Sequence, residues 1–149
     1  MSLQVGKPAP KINAKNQNGD NISLDDFKGK KVVLYFYPKD DTPGCTAEAC
    51  SLRDNYHSLL AKGYVVLGVS TDDEKSHQKF IKKYDLPFDL LTDTEQKIVN
   101  DYGVWVEKSM YGRTYMGTQR TTFIIDEEGI VVEIISKVDT KNHAEQVLK

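Results

Sequence analysis

Cys45 and Cys50 are the only two cysteines of the chain, and both lie in the segment Tyr35-Phe36-Tyr37-Pro38-Lys39-Asp40-Asp41-Thr42-Pro43-Gly44-Cys45-Thr46-Ala47-Glu48-Ala49-Cys50. A strand-like run stops at Pro38. Thr42-Pro43 then has the pattern of a helix entrance, with threonine at the N-cap and proline at the first helical position. This places Cys45 third in a helix, beside unpaired backbone N–H groups and the positive end of the helix dipole. Both favour thiolate over thiol, and the thiolate is the nucleophile. The Thr42 hydroxyl falls within the same turn and can donate or accept a hydrogen bond there. The apolar stripe of the helix includes the direction of Cys45, so the thiol is expected to face inward. The alternative is that Cys45 is a small buried hydrophobe, the commonest fate of a free cysteine.

Cys50 sets a geometric condition. Five residues apart on an ideal helix, two Cα atoms lie about 8.6 Å apart, whereas a disulfide wants about 7 Å or less. An intact helix cannot close that bond. If the pair reacts, the first turns must unwind and oxidation becomes a conformational switch. Otherwise Cys50 only packs. The spacing is Cys-x4-Cys, unlike a two-residue redox dithiol or a zinc knuckle.

These residues need a scaffold, and hydrophobic patterning supplies one. Lys11–Ala14 and Asn21–Leu24 flank the turn signal Asn18-Gly19-Asp20 and read as a hairpin, and Ser23-Leu24-Asp25-Asp26 resembles a short helix start stopped by Gly29. Val32–Tyr37 and Tyr64–Val69 are continuous apolar runs, as in strands covered on both faces. Between them Ala49, Leu52, Tyr56, Leu59 and Leu60 recur at helical spacing up to Gly63. Asp73–Tyr84 reads as a helix with Phe80, Ile81 and Tyr84 on its apolar side. Phe88–Leu91 follows as a strand, Glu95–Tyr102 as a short helix, Thr121–Ile125 and Ile130–Ile135 as a hairpin, and His143–Leu148 as a closing helix. The order predicts an α/β fold, a mixed sheet with helices on both faces and antiparallel edges.

The chain has 149 residues, 28% charged, with net charge −2. That length predicts one domain spanning residues 1–149, with a core large enough to fold without disulfides. Near-balanced charge argues against a nucleic-acid binder built on basicity. No run approaches a membrane helix or a signal peptide, which predicts a cytoplasmic protein with no membrane or nucleic-acid partner. His57, His77 and His143 have no metal-ligand spacing and are expected at the surface. Lys28-Gly29-Lys30-Lys31 reads as a solvated turn. Tyr102, Trp105, Tyr111 and Tyr115 are expected to anchor loops in the core rather than form a substrate collar.

Pro38-x3-Thr42-x2-Cys45 resembles the signature of the peroxiredoxins, thiol peroxidases on a thioredoxin-like fold. Tyr35 to Ala49 is similar to the bacterioferritin comigratory protein, or peroxiredoxin Q, branch. So are Asp101-Tyr102-Gly103-Val104-Trp105, Met110-Tyr111-Gly112, Met116-Gly117, Arg120–Asp126 and the opening Gly6-Lys7-Pro8-Ala9-Pro10. The resemblance spans most of the chain. It implies that Cys45 attacks the peroxide O–O bond, and that Thr42 and the Cys45 N–H hold the peroxide oxygens. It further implies that Arg120 stabilises thiolate and leaving oxygen, that Pro38 shields the sulfur, and that Glu48 orients Arg120. Cys50 stands where that branch often carries its resolving cysteine, which implies a Cys45–Cys50 intramolecular disulfide recycled by thioredoxin. No metal or organic cofactor is implied, and a monomer is favoured over the dimers also found in the branch. The competing expectations are a general protein disulfide oxidoreductase and a non-catalytic redox-responsive binding module.

Overall fold

The computed structural model describes residues 3–149. Its centre is a five-stranded sheet in the order β5-β4-β3-β8-β9. Strands β3 (Lys31–Phe36), β4 (Tyr64–Ser70) and β5 (Asp89–Thr92) run parallel. Strand β8 (Thr121–Ile125) lies antiparallel to β3, and β9 (Val131–Ile135) antiparallel to β8. The sheet is therefore mixed, with its antiparallel hairpin at one edge. The expected hairpin around Gly19 forms from β1 (Asn13–Lys15) and β2 (Asn21–Ser23), with Ala14 opposite Ile22. The next turn is a 3-10 helix at Leu24–Phe27, opened by a Ser23–Asp26 capping box.

Strand β3 is buried on both faces because its side chains alternate between two cores. Val33, Tyr35 and Tyr37 pack with Ala49, Leu52, Leu59, Phe80, Ala144 and Val147, which come from helices α1 (Pro43–Asp54), α2 (Tyr56–Ala61), α3 (Glu74–Tyr84) and α5 (His143–Leu148). Val32, Leu34 and Phe36 pack with Ile98 and Val99 of α4 (Lys97–Asp101), with Tyr102, Val104 and Phe123, and with Ile12 of the N-terminal segment. A buried strand of this kind ends at a fixed place, so the loop after Phe36 starts from a rigid base. At Gly68 of β4 any Cβ would meet Leu90 at 2.6 Å and the Tyr35 ring at 2.9 Å, so only glycine lets that ring lie flat in the core.

Three expectations need correction. The helix predicted through Leu60 is two helices, α1 and α2, broken at Asn55. The Asn55 amide donates to the Ser51 carbonyl at 2.9 Å, and this side-chain bond competes with the backbone ladder. Leu60 consequently points outward, 47% exposed. A second hairpin, β6 (Trp105–Met110) and β7 (Arg113–Thr118), fills the stretch expected to be loop. Tyr111 and Gly112 both have positive φ, 52° and 76°, and form its two-residue turn. Of the expected aromatic anchors, Tyr102 is buried against Phe36 and Phe123 and Trp105 packs against the same core, but Tyr111 and Tyr115 are exposed on this hairpin.

Candidate active site

Helix α1 begins where the sequence placed it. Thr42 is extended at the N-cap, Pro43 opens the helix, and Cys45 stands third. The first backbone bond runs from Thr46 N–H to Thr42 O at 2.8 Å, so the N–H groups of Gly44 and Cys45 lie ahead of the ladder. The Thr42 side chain does not cap the helix. Its hydroxyl donates back to Lys39 O at 2.8 Å, which fixes the rotor and leaves its oxygen lone pairs as acceptors. Pro38 follows β3 and is half-buried.

Cys45 is 1% exposed and packs in the core with Tyr35, Ala49 and Leu52, while Cys50 is half-buried further along the intact helix. Both are free. Arg120 comes in from the residue before β8 and joins two groups of α1. Its Nη1 donates to Glu48 Oε1 at 2.7 Å and its Nη2 donates to Cys45 Sγ at 3.4 Å. The guanidinium is 23% exposed and so borders both solvent and sulfur. Gly44 makes room for it, since a Cβ there would sit 3.1 Å from Nη2. The hairpin aims Arg120: Gln119 N–H closes its neck on Val104 O at 2.7 Å, and Lys108 Nζ donates to Thr118 O at 2.5 Å.

Electrostatically the site is unbalanced. Glu48 is wholly buried, and burial pushes its carboxyl up to about 7 although the Arg120 charge and hydrogen bond pull it down. Among the described residues only one of its oxygens is hydrogen-bonded: Oε2 has no hydrogen-bond partner there and lies 3.4 Å from His143 Nε2. Burial would lower the Arg120 value, but Glu48 and Cys45 outweigh it, so the guanidinium stays charged. The Lys108 ammonium is lowered by partial burial and by Arg120, with Cys45 acting the other way.

The structure thus joins Cys45, Glu48 and Arg120, holds Thr42 and Pro38 on the loop before them, and keeps Cys50 apart on the helix. Sequence reasoning missed the histidines. His77 and His143 are both fully buried, contrary to their expected surface placement; His57 is exposed. The signal was present: His77 precedes Phe80, Ile81 and Tyr84 at helical spacing, and His143 shares a face with Ala144 and Val147. His77 sits between Asp40 Oδ2 at 2.7 Å and Leu91 O at 2.8 Å.

Residues 5–134 match the AhpC/TSA family. A putative peroxiredoxin bcp of Coxiella burnetii is 51% identical over 148 residues, covering 99% of this chain and 98% of that protein. The PrxQ structure of Xylella fastidiosa superposes with a TM-score of 0.93 at 31% identity, covering 99% and 94% of the two chains. A bacterioferritin comigratory protein from Xanthomonas campestris, studied for alkyl peroxide reduction, gives 0.87 at 36% identity, covering 92% and 87%. With a cysteine at a helix entrance, an arginine on its sulfur and near-complete alignment to such relatives, the chain belongs to the AhpC/TSA family, in its peroxiredoxin Bcp/Q branch, on the thioredoxin-like fold, and it is a thiol-dependent peroxidase.

Proposed function

We propose that Cys45 is the peroxidatic nucleophile and Cys50 its resolving partner, in a protein that reduces hydrogen peroxide and organic hydroperoxides and is recycled by thioredoxin. One observation carries this reading: Arg120 donates to the Cys45 sulfur at 3.4 Å while Glu48 holds the same guanidinium at 2.7 Å. The thiolate attacks the nearer peroxide oxygen, the S–O bond forms as O–O breaks, and the departing oxygen leaves as an alkoxide or hydroxide that takes up a proton. Negative charge grows on that oxygen in the transition state. Arg120 and the N–H groups of Gly44 and Cys45 are preorganised donors for it, and the Thr42 oxygen accepts from the peroxide O–H. Pro38 keeps water from the sulfur. The alkyl peroxide reduction described for the Xanthomonas protein supports including organic hydroperoxides.

The product is a Cys45 sulfenic acid. The Cys50 thiol displaces its hydroxyl as water and forms the Cys45–Cys50 disulfide. Because both residues sit on α1, the helix entrance must unwind first, and Glu48 lies on the unwinding segment. A dithiol reductant then exchanges with the disulfide and restores both thiols. Among the described residues no helix is long and apolar enough to cross a membrane. We place the working protein in the cytoplasm as a monomeric, single-domain unit of residues 1–149. The test is peroxide turnover coupled to thioredoxin and its reductase. Cys45→Ser must abolish turnover, and Cys50→Ser must keep the first oxidation fast but stop recycling. Unchanged peroxide consumption in Cys45→Ser contradicts the reading.

A further inference from the structure

His143, buried at the start of α5, has no part in the reaction as described, yet its ring is held by specific bonds. Gln146 is oriented from two sides: its Oε1 accepts Asp139 N–H at 2.9 Å, and its amide donates to Lys137 O at 3.0 Å. His143 Nδ1 lies 2.8 Å from that Oε1 and must therefore donate to it. This leaves Nε2 to face inward, 2.7 Å from the Thr122 hydroxyl and 3.4 Å from Glu48 Oε2. The Glu48 oxygen so faced is the one without a hydrogen-bond partner.

The charges around this contact can be counted by element. Arg120, preceding β8, is the cation that acts on Glu48, and Cys45 of α1 draws on the same guanidinium. Tyr35 of β3 is kept neutral by burial and by the negative charges of Glu48 and Asp40. Lys108 of β6 is a cation on the Cys45 side, committed to Thr118 O. Asp139 precedes α5 and raises His143, whereas Arg120 lowers it. A Glu48 carboxylate would thus compete with the Cys45 thiolate for one guanidinium. A proton on the far side of Glu48 removes that competition without moving Arg120.

We propose that His143 is a positioning residue for the peroxidase reaction: with Nε2 held by Thr122 and facing Glu48 Oε2 at 3.4 Å, the pair retains one proton, so that Glu48 aims Arg120 at Cys45 without neutralising it. The proposal rests on Cys45 being the nucleophile. The proton belongs to the pair, which titrates as a unit. When it is lost at alkaline pH, Arg120 turns its charge to Glu48 and the peroxide reaction slows.

The test is the stopped-flow rate of the reduced protein with hydrogen peroxide, measured across pH. His143→Gln removes one of the two proton sites. Its alkaline decline is expected about one unit lower than in the wild type, giving a rate about tenfold lower near pH 8 and little change near pH 6. Glu48→Gln mimics the protonated acid and keeps its shape. It must remove the alkaline decline, and in that background His143→Gln must no longer move the profile. If His143→Gln only lowers thermal stability while its pH profile overlays the wild type, or if the decline persists in Glu48→Gln, the proposal fails. Should His143→Gln not fold, the Glu48→Gln profile decides alone. A Cys45→Ser protein that still reacts would instead overturn the assignment of the nucleophile.

Discussion

Two buried carboxylates, Asp40 in the loop between β3 and α1 and Glu48 on α1, each face a buried histidine, and they are built to opposite ends. Asp40 has both oxygens engaged: Tyr37 donates to Oδ1 at 2.5 Å, Ser76 to Oδ2 at 2.8 Å, and His77 Nδ1 lies 2.7 Å from Oδ2. Its backbone N–H is held by Asp72 at 2.8 Å. Burial alone would lower His77, but the hydrogen bond and charge of Asp40 outweigh it and hold the ring above its ordinary value. Glu48 has one oxygen engaged and one unpartnered, and burial drives it to about 7. His143 beside it is driven down, by burial first and then by Arg120. A fully satisfied buried network rigidifies; a half-satisfied one stores a proton equilibrium near neutrality. The first anchors the loop, and the second serves the thiol.

The two sites differ most at Arg120, which only the Glu48 side uses. Arg120→Met is expected to lower the rate with peroxide by about 10²–10³-fold, as for loss of a preorganised donor to a developing oxyanion. Stopped-flow rates of the reduced variant check this. On the other side, Asp40→Ala strands His77, Tyr37 and Ser76 and should cost about 3 kcal/mol of stability in denaturant unfolding. Glu48→Gln should show no comparable loss near pH 8, where wild-type Glu48 bears a buried charge. Equal losses in the two variants would erase the distinction between anchor and working site.

The same contrast sets a pH dependence. A carboxyl raised in the folded state binds its proton more tightly there than when unfolded. Its contribution is therefore present below its ordinary 4.5 and lost as pH rises to about 7. The difference in unfolding free energy between the wild type and Glu48→Gln should shift by up to about 3 kcal/mol across that window, against the wild type as pH rises. His77, also raised, keeps its contribution below its ordinary 6.5 and loses it only as pH rises above that value. The smallest expected effect is at Gly44. Alanine there crowds Arg120 Nη2 at 3.1 Å and should slow the peroxide reaction several-fold, about 1 kcal/mol in barrier, with unfolding nearly unchanged.

What was legible in the sequence follows from range. The Cys45 position depends on local rules, the Thr42-Pro43 entrance and the run of β3, and it stands as read. The hydrophobic runs likewise marked every strand of the central sheet. The β6–β7 hairpin was not legible because Glu107, Ser109 and Met110 are exposed and the two strands carry no apolar alternation, so only the Tyr111-Gly112 turn could have signalled it. The break at Asn55 turns on one side-chain bond to Ser51 that hydrophobic period cannot report. His143 meets Glu48 across 95 residues, and the resemblance that pointed to Arg120 said nothing of it.

The measurement that bears most directly on the whole account is a peptide map of the reduced protein after one equivalent of hydrogen peroxide. A single intramolecular link joining Cys45 to Cys50 is expected, which forms only if Cys45 is oxidised first and the entrance of α1 opens. A map in which Cys45 remains a free thiol, or in which the disulfides join separate chains, would contradict it.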